Sequence, residues 1–382
     1  MKGKNLLVLI VLAVVLVIVA VNTSDNGSKS KPNVIGNNVF PDLVADDVEK
    51  IVITSTEGTT TVARVNDIWS VPDRFNYPAD FNKLKDYLLK VSDMKIGQVM
   101  KLDEKQKASM KLTPTSATKL EFVGKNNSTI VSLLIGEARM RKPAGDMAEF
   151  GGYPDGQYVS PDEGKNVYLV STALSELPLN SKNWLDQDLL NVMSSDIKEI
   201  LITGPDRKDT KLVRKKDNAG FELDGISTNE VTVDSKMYSI ESALTYMKMD
   251  EVADPSLKND ITGLDKPTIF KVTTHKGEFF TIKLGKKKDG TDYRFCKIEA
   301  SLKQAEKQPE AKDDNEKKKI EEAAKERKEL EEKIKGINDK LSKWTYLISS
   351  QKADTMTPAR DVLFEKKKEE KKESDNKTEA DK

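Results

Sequence analysis

Asp47-Val48-Glu49-Lys50-Ile51-Val52-Ile53-Thr54 recurs 149 residues further on, Ile51 to Ile200, as Asp196-Ile197-Lys198-Glu199-Ile200-Leu201-Ile202-Thr203. Each stretch passes from an acidic start into a β-branched run, which is a strand signature. Further along, Thr129-Ile130-Val131-Ser132-Leu133-Leu134-Ile135-Gly136 is answered by Phe280-Thr281-Ile282-Lys283-Leu284-Gly285, with Ile135-Gly136 and Leu284-Gly285 in register at the same shift. Self-similarity at a fixed long interval reads as two copies of one supersecondary unit.

The elements between these ends agree in kind and order. Thr61–Val65 and Ile68–Val71 flank Asn66-Asp67, while Lys211–Arg214 and Gly220–Leu223 flank Asp217-Asn218, so each copy is expected to carry a hairpin. A helix is then predicted in each. Phe81, Leu84, Leu88 and Val91 form one apolar stripe, and Met237, Ile240, Leu244 and Met247 form the other. Asp80 and Asp234 are read as their N-caps, because a carboxylate there accepts from free backbone N–H groups. Lys119–Val123 and Thr268–Val272 follow as strands, and Val167–Ser171 and Thr345–Ser349 close the two copies. Copy one is assigned to 40–190 and copy two to 191–364.

Copy two is longer because of an insertion, 299–343, which is rich in charge. Ile320, Ala323, Arg327, Leu330, Ile334, Ile337, Leu341 and Trp344 alternate spacings of three and four, a heptad seam interrupted by Arg327. Glu321–Lys325, Glu329–Lys333 and Glu331–Lys335 are spaced as favourable helical pairs. Pro309 and Asp313-Asp314 are expected to separate this helix from a shorter leading one, giving a coiled-coil-like helical hairpin. Two readings of the seam stay open. Leu302 and Ala305 of the leading helix fill it and make a self-contained rod, or part of it, with Leu330, Ile334, Ile337 and Leu341, docks on another protein. Acidic and basic residues balance here and in the tail 365–382, which is expected to be disordered.

The fold class is therefore α+β: two tandem copies of a mainly antiparallel sheet-plus-helix unit, with an N-terminal membrane helix and a helical insertion in the second copy. Leu6–Val21 is an apolar run preceded by Lys2 and Lys4, so residues 1–22 are read as a cytoplasmic N-terminus and a transmembrane anchor. A cleaved signal peptide is the competing reading, with a long apolar core and no small-x-small site behind it. The lysines leave the N-terminus in the cytoplasm and the body in the periplasm, joined by a polar tether over 23–39.

Composition narrows the chemistry. Lys plus Arg and Asp plus Glu each number 63, so no net field favours nucleic acid. The one histidine, His275, falls in a turn-like Thr274-His275-Lys276-Gly277, and the one cysteine, Cys296, falls in a strand-like run. Together they are too few for the common zinc sites or a Ser-His-Asp triad, and no glycine-rich phosphate loop occurs; no cofactor, metal or catalytic residue is assigned. Carboxylate-only catalysis is left without a distinguishing spacing. Between Gly136 and Tyr158 copy one is read as a long loop carrying Arg139-Met140-Arg141-Lys142-Pro143 and Gly151-Gly152-Tyr153-Pro154-Asp155-Gly156 where copy two is short; Arg139, Arg141 and Lys142 could engage a carboxylate or phosphate, or form a solvated cluster. Trp69 and Trp184 could wall a ligand cleft, although core packing explains them better.

With the anchor, Phe40-Pro41, the Val48–Thr54 strand, the Trp69 hairpin, Tyr77-Pro78-Ala79-Asp80 and Asn183-Trp184-Leu185-Asp186 in view, the chain resembles a bacterial membrane-anchored family catalogued as domain of unknown function 4340. The likeness runs from about Leu6 to Ile298 and resumes near Trp344. The resemblance implies a location in the bacterial inner membrane and genes beside ABC-type transport components of the gliding-motility kind, and it brings no catalytic residues. The expectation is a non-catalytic adaptor or accessory subunit of a membrane transport complex. The alternative is an envelope-facing enzyme, or a glycan- or peptide-binding module, using a cleft between the two repeats.

Overall fold

The computed structural model describes residues 34–141, 152–174, 176–216, 219–304 and 313–367. The expected anchor at Leu6–Val21, Lys142, the Asp217-Asn218 turn, Ala305, Pro309 and the tail beyond 367 lie outside the described residues. No helix among the described residues is long and apolar enough to cross a membrane.

The architecture is mixed α+β with antiparallel strand pairing throughout the described sheets. The first strands are β1 (Lys50–Ser55), β2 (Gly58–Val65), β3 (Ile68–Val71), β4 (Tyr77–Pro78), β5 (Ile96–Met100), β6 (Thr118–Val123), β7 (Thr129–Arg141), β8 (Tyr153–Ser160) and β9 (Val167–Val170). They are followed by β10 (Asp188–Leu190), β11 (Ile197–Thr203), β12 (Thr210–Val213), β13 (Glu222–Leu223), β14 (Glu230–Thr232), β15 (Met247–Lys248) and β16 (Glu251–Val252). The last are β17 (Thr268–Thr274), β18 (Glu278–Lys287), β19 (Tyr293–Leu302), β20 (Tyr346–Ser349) and β21 (Phe364–Lys366). Among the described residues six α-helices accompany them: α1 (Phe81–Ser92), α2 (Glu104–Ser109), α3 (Asp234–Glu241), α4 (Asn259–Thr262), α5 (Asp314–Leu341) and α6 (Ser350–Met356).

Two compact units emerge. One takes the described residues up to Thr59 with Lys85–Leu179, and the other takes Thr60–Leu84 with the described residues from Asn180 onward. In the first, neighbouring strands run β1-β6-β7-β8-β9-β5; Ile51 and Ile53 lie opposite Phe122 and Leu120, and all four are buried. Their alternation with exposed or half-exposed neighbours sets the register, since a one-residue slip would turn every one of them outward. Gly36 to Asn38 are tied to this sheet, Gly36 donating to the Ile96 carbonyl (2.8 Å) and Asn38 bridging to Lys95. The polar tether expected through residue 39 therefore ends earlier, where backbone groups find strand partners.

In the second unit the main sheet runs β13-β12-β11-β17-β18-β19-β20-β16, with Ile200, Ile202, Phe270, Val272, Phe280 and Ile282 buried along its centre. Each such side chain contributes about 1.5–3 kcal/mol on burial. The hairpin of β2 and β3 also belongs to this unit. Its turn residues, Asn66 (φ 50°) and Asp67 (φ 63°), both adopt the left-handed region that a two-residue hairpin of matching twist requires. Trp69 and Trp184 are core residues, Trp184 fully buried.

Several expectations change. Asp80 does cap α1, accepting from the Lys83 N–H (3.1 Å), but Phe81 is exposed and Tyr87 joins Leu84, Leu88 and Val91 on the buried face. Asp234 is the first residue of α3 rather than its cap, and α3 stops at Glu241. Met247 lies beyond it in β15, paired with β10, so the stripe crosses a helix end and stays buried only because a strand takes over. The leading helix of the expected hairpin is not formed at its start: Glu299–Leu302 extend β19, where Ala300 is buried opposite Phe280. Strand pairing with β18 outweighs their helical composition. Glu365 and Lys366, expected in a solvated tail, form β21 against β14.

Candidate functional site

α5 is a single helix of 28 residues, Asp314–Leu341, capped by Asp313, whose side chain accepts from the Glu316 N–H (2.7 Å). Its heptad seam meets a strand instead of a second helix. Ile334 and Leu341 are buried, Leu330 and Ile337 are half-buried, and the helix packs on β19. Polar contacts reinforce the same face. The Asn338 amide donates to the Ala300 carbonyl (2.8 Å) and accepts from the Ala300 N–H (2.9 Å), and Arg327 donates to the Lys303 carbonyl (2.7 Å). At its end, the Tyr346 hydroxyl donates to the Leu341 carbonyl (3.1 Å), and Trp344 stands edge-on to Tyr77 with ring centres 5.0 Å apart.

Beside this root lies a cleft of about 630 Å³, walled by Glu326, Leu330 and Lys333 of α5 and by His275, Lys276 and Glu278 of the β17–β18 turn. Its central group is Glu278, whose side chain is 5% exposed. One carboxylate oxygen accepts from the Lys333 ammonium (2.7 Å) and the other from the Thr274 hydroxyl (3.0 Å), while Thr274 in turn accepts from the Glu278 N–H (3.0 Å). A carboxylate so buried needs such partners, since its desolvation is otherwise uncompensated. At the rim Lys276 pairs with Glu326 (2.9 Å), which holds the lysine above its usual range. Lys333 and Glu331 thus serve Glu278 and Arg327 (2.8 Å) in place of the expected Glu329–Lys333 and Glu331–Lys335 pairs. The charges act as a clamp on the helix root. No group of three or more His, Cys, Asp or Glu side chains among the described residues could hold a metal ion.

Arg139 and Arg141 lie in the first unit. The segment after Gly136 is not a loop: β7 continues to Arg141 and pairs with β8. Arg139 donates to the Asp155 carboxylate (2.6 Å), which holds Asp155 below the ordinary carboxylate range, and Arg141 is exposed two residues along the same strand. His275 is exposed in the turn as expected, and Cys296 is buried in β19. Sequence reasoning missed Glu278 and Asn338. Glu278 carried no signal apart from its place after a glycine turn, and Asn338 stood one position beyond the seam residue Ile337.

These features define an antiparallel α+β protein with a charged helix rooted on the edge of its second sheet. A family model described as Domain of unknown function (DUF4340) matches residues 69–267, just over half of the chain, and the chain belongs to that family. The match runs from the β3 hairpin strand to the residue before β17, so α5 lies outside it. Neither the curated proteins nor the solved structures contain a match to this chain.

Proposed function

We propose that the chain is a non-catalytic, single-pass protein of the bacterial inner membrane, with its body in the periplasm, serving as an adaptor or accessory subunit of an ABC-type transport system through protein–protein contacts. The observation that carries this reading is the division of α5 into a rooted half and an exposed half. From Asp314 to Glu326 every side chain is exposed except the half-exposed Ile320, which amounts to roughly 20 Å of helix at 1.5 Å per residue. A stiff arm bearing both charge signs and a residual seam at Ile320 and Ala323 suits recognition of another protein. The apolar run Leu6–Val21 supplies the membrane attachment.

The body is read as a tandem duplication of one unit. In support, β1-β6-β7-β8-β9-β5 and β11-β17-β18-β19-β20-β16 follow one order. The paired glycines behave alike as well. The Gly136 carbonyl accepts from the Gln157 amide and the Gly285 carbonyl from the Arg294 guanidinium, in each case a side chain of the next strand.

A photo-activatable cross-linker placed at Ala323 of the full-length protein in native membranes tests the adaptor role, with one at exposed Lys198 as the control. Adducts to a membrane transport component from position 323 alone are expected. Recovery of none from position 323 would overturn the role, and resistance of the body to protease added to spheroplasts would overturn the topology.

A further inference from the structure

We infer that the second unit binds a neutral glycan chain in a groove between α3, the turn leading into β15, and α6. The groove holds about 400 Å³ and is flanked by Tyr238 and Tyr246, whose residues are 69% and 70% exposed. Singly exposed aromatic residues are ordinary, but two such rings beside one groove offer flat apolar faces of the kind on which sugar rings stack. Tyr238 stands one position off the buried Met237 of α3, so helical geometry turns it away from the core.

Tyr246 is held there against its own backbone preference. Its φ of 48° lies in the left-handed region, unfavourable for a bulky side chain, and the Asn191 carboxamide oxygen accepts its N–H (3.2 Å) while Thr245 donates to the Val192 carbonyl (3.0 Å). Such conformations persist where neighbours enforce them, and they concentrate at binding sites.

The polar lining selects the ligand class. The hydroxyls of Ser239, Ser242 and Thr355 donate to the carbonyls of Ser235 (2.9 Å), Tyr238 (2.8 Å) and Gln351 (2.9 Å). With their protons so engaged, they present lone pairs, and the fitting ligand is one rich in hydrogen-bond donors. Lys352 also lines the groove; its ammonium donates to the Lys248 carbonyl (2.6 Å) and keeps further N–H donors for a ligand oxygen, while no carboxylate lines this groove. An uncharged, hydroxyl-bearing chain satisfies these conditions; a peptide, with a carbonyl acceptor for every N–H donor, satisfies them less well. A second hollow of about 510 Å³ shares Ser239, Gln351 and Thr355 and adds Asp292 and Asp354, whose carboxylates are further acceptors for hydroxyl donors, with Lys236 at its wall.

This inference is independent of the adaptor reading. The test is calorimetric titration of the detergent-solubilised full-length protein with cellohexaose, maltohexaose and chitohexaose, and with a neutral hexapeptide. Binding of at least one oligosaccharide is expected, weakened about tenfold or more by Tyr238→Ala and by Tyr246→Ala, the scale of one lost aromatic stacking contact. Tyr246→Gly keeps the left-handed backbone without a side chain, so it should lose the same affinity with no fall in melting temperature. Binding of none of the three sugars, binding indifferent to both tyrosines, or hexapeptide binding as tight as the best sugar would each overturn the inference.

Discussion

Asn338 stands in for a β-strand at Ala300. β20 pairs with β19 only along Tyr293–Cys296, and beyond that point the outward N–H and C=O of Ala300 are both taken by the Asn338 side-chain amide, at 2.9 and 2.8 Å. The helix thus covers an edge that would otherwise be open to pairing with another chain, and the root of α5 and the integrity of the second sheet are one problem.

Asn338→Ala should therefore lower stability by about 1–2 kcal/mol, the cost of two partly buried hydrogen bonds without replacement. Urea unfolding measures the loss, and hydrogen exchange at the Ala300 amide should accelerate. An unchanged midpoint together with unchanged exchange would show that packing by Ile334 and Leu341 alone holds the helix.

Gly136 and Gly285 permit a close approach. A Cβ at position 136 would overlap the Met110 carbonyl oxygen, and one at 285 the Thr262 carbonyl oxygen, both backbone atoms that cannot swing aside. Gly136→Ala and Gly285→Ala should each cost about 1–3 kcal/mol, as overpacking does. Gly220→Ala, with open space at its Cβ, is the control. Equal thermal stability of all three variants would refute the close-packing account.

Arg214 organises the start of the second unit. It donates to the carbonyls of Ser194 (2.6 Å), Ile197 (2.9 Å) and Ala219 (2.8 Å), pairs with Glu241 (2.9 Å) and lies 4.5 Å from the Phe221 ring centre. Arg214→Ala should destabilise by about 3–5 kcal/mol, since it strands a largely buried carboxylate and three carbonyls. Arg214→Lys should recover only part of this, because an ammonium lacks the guanidinium fork. Full recovery by lysine in chemical denaturation would rule out the geometric role.

Burial pushes the Cys296 thiol from its ordinary 9.0 up to about 12. The native state then holds this proton more tightly than the unfolded state, so its contribution to stability is complete below pH 9 and declines as pH rises from 9 towards 12. Tyr77 and Tyr346, also raised by burial, add to the decline above pH 10. Between pH 9 and 10 Cys296→Ala should flatten the slope of stability against pH. An unaltered slope would place the thiol in contact with water.

What could be read directly from the chain was whatever depends on local order. The β1, β2–β3, β11 and β17 strands, the Asp80 cap and the buried Cys296 all follow from patterns within a few residues, because side-chain alternation and turn chemistry are local. The errors arose where distant partners competed with local preference. Glu299–Leu302 look helical beside the charged insertion, yet β18 supplies the hydrogen bonds that make them a strand; Arg139 and Arg141 look like loop residues, yet β8 pairs with the backbone beneath them.

The candidate site was legible only as a seam. Leu330, Ile334, Ile337 and Leu341 announced a helix with one apolar face, but whether a helix, a partner or a sheet edge would cover that face depends on which surface has unsatisfied backbone groups within reach. Sequence alone determined the apolar run Leu6–Val21, the alternation of strands and the count of one histidine and one cysteine, since these need only composition and period. Tertiary structure decided that α5 roots on β19, that Glu278 is clamped by Lys333 and that Tyr238 and Tyr246 flank one groove, because each brings together residues whose contact is set by the packing of whole elements and not by their order along the chain.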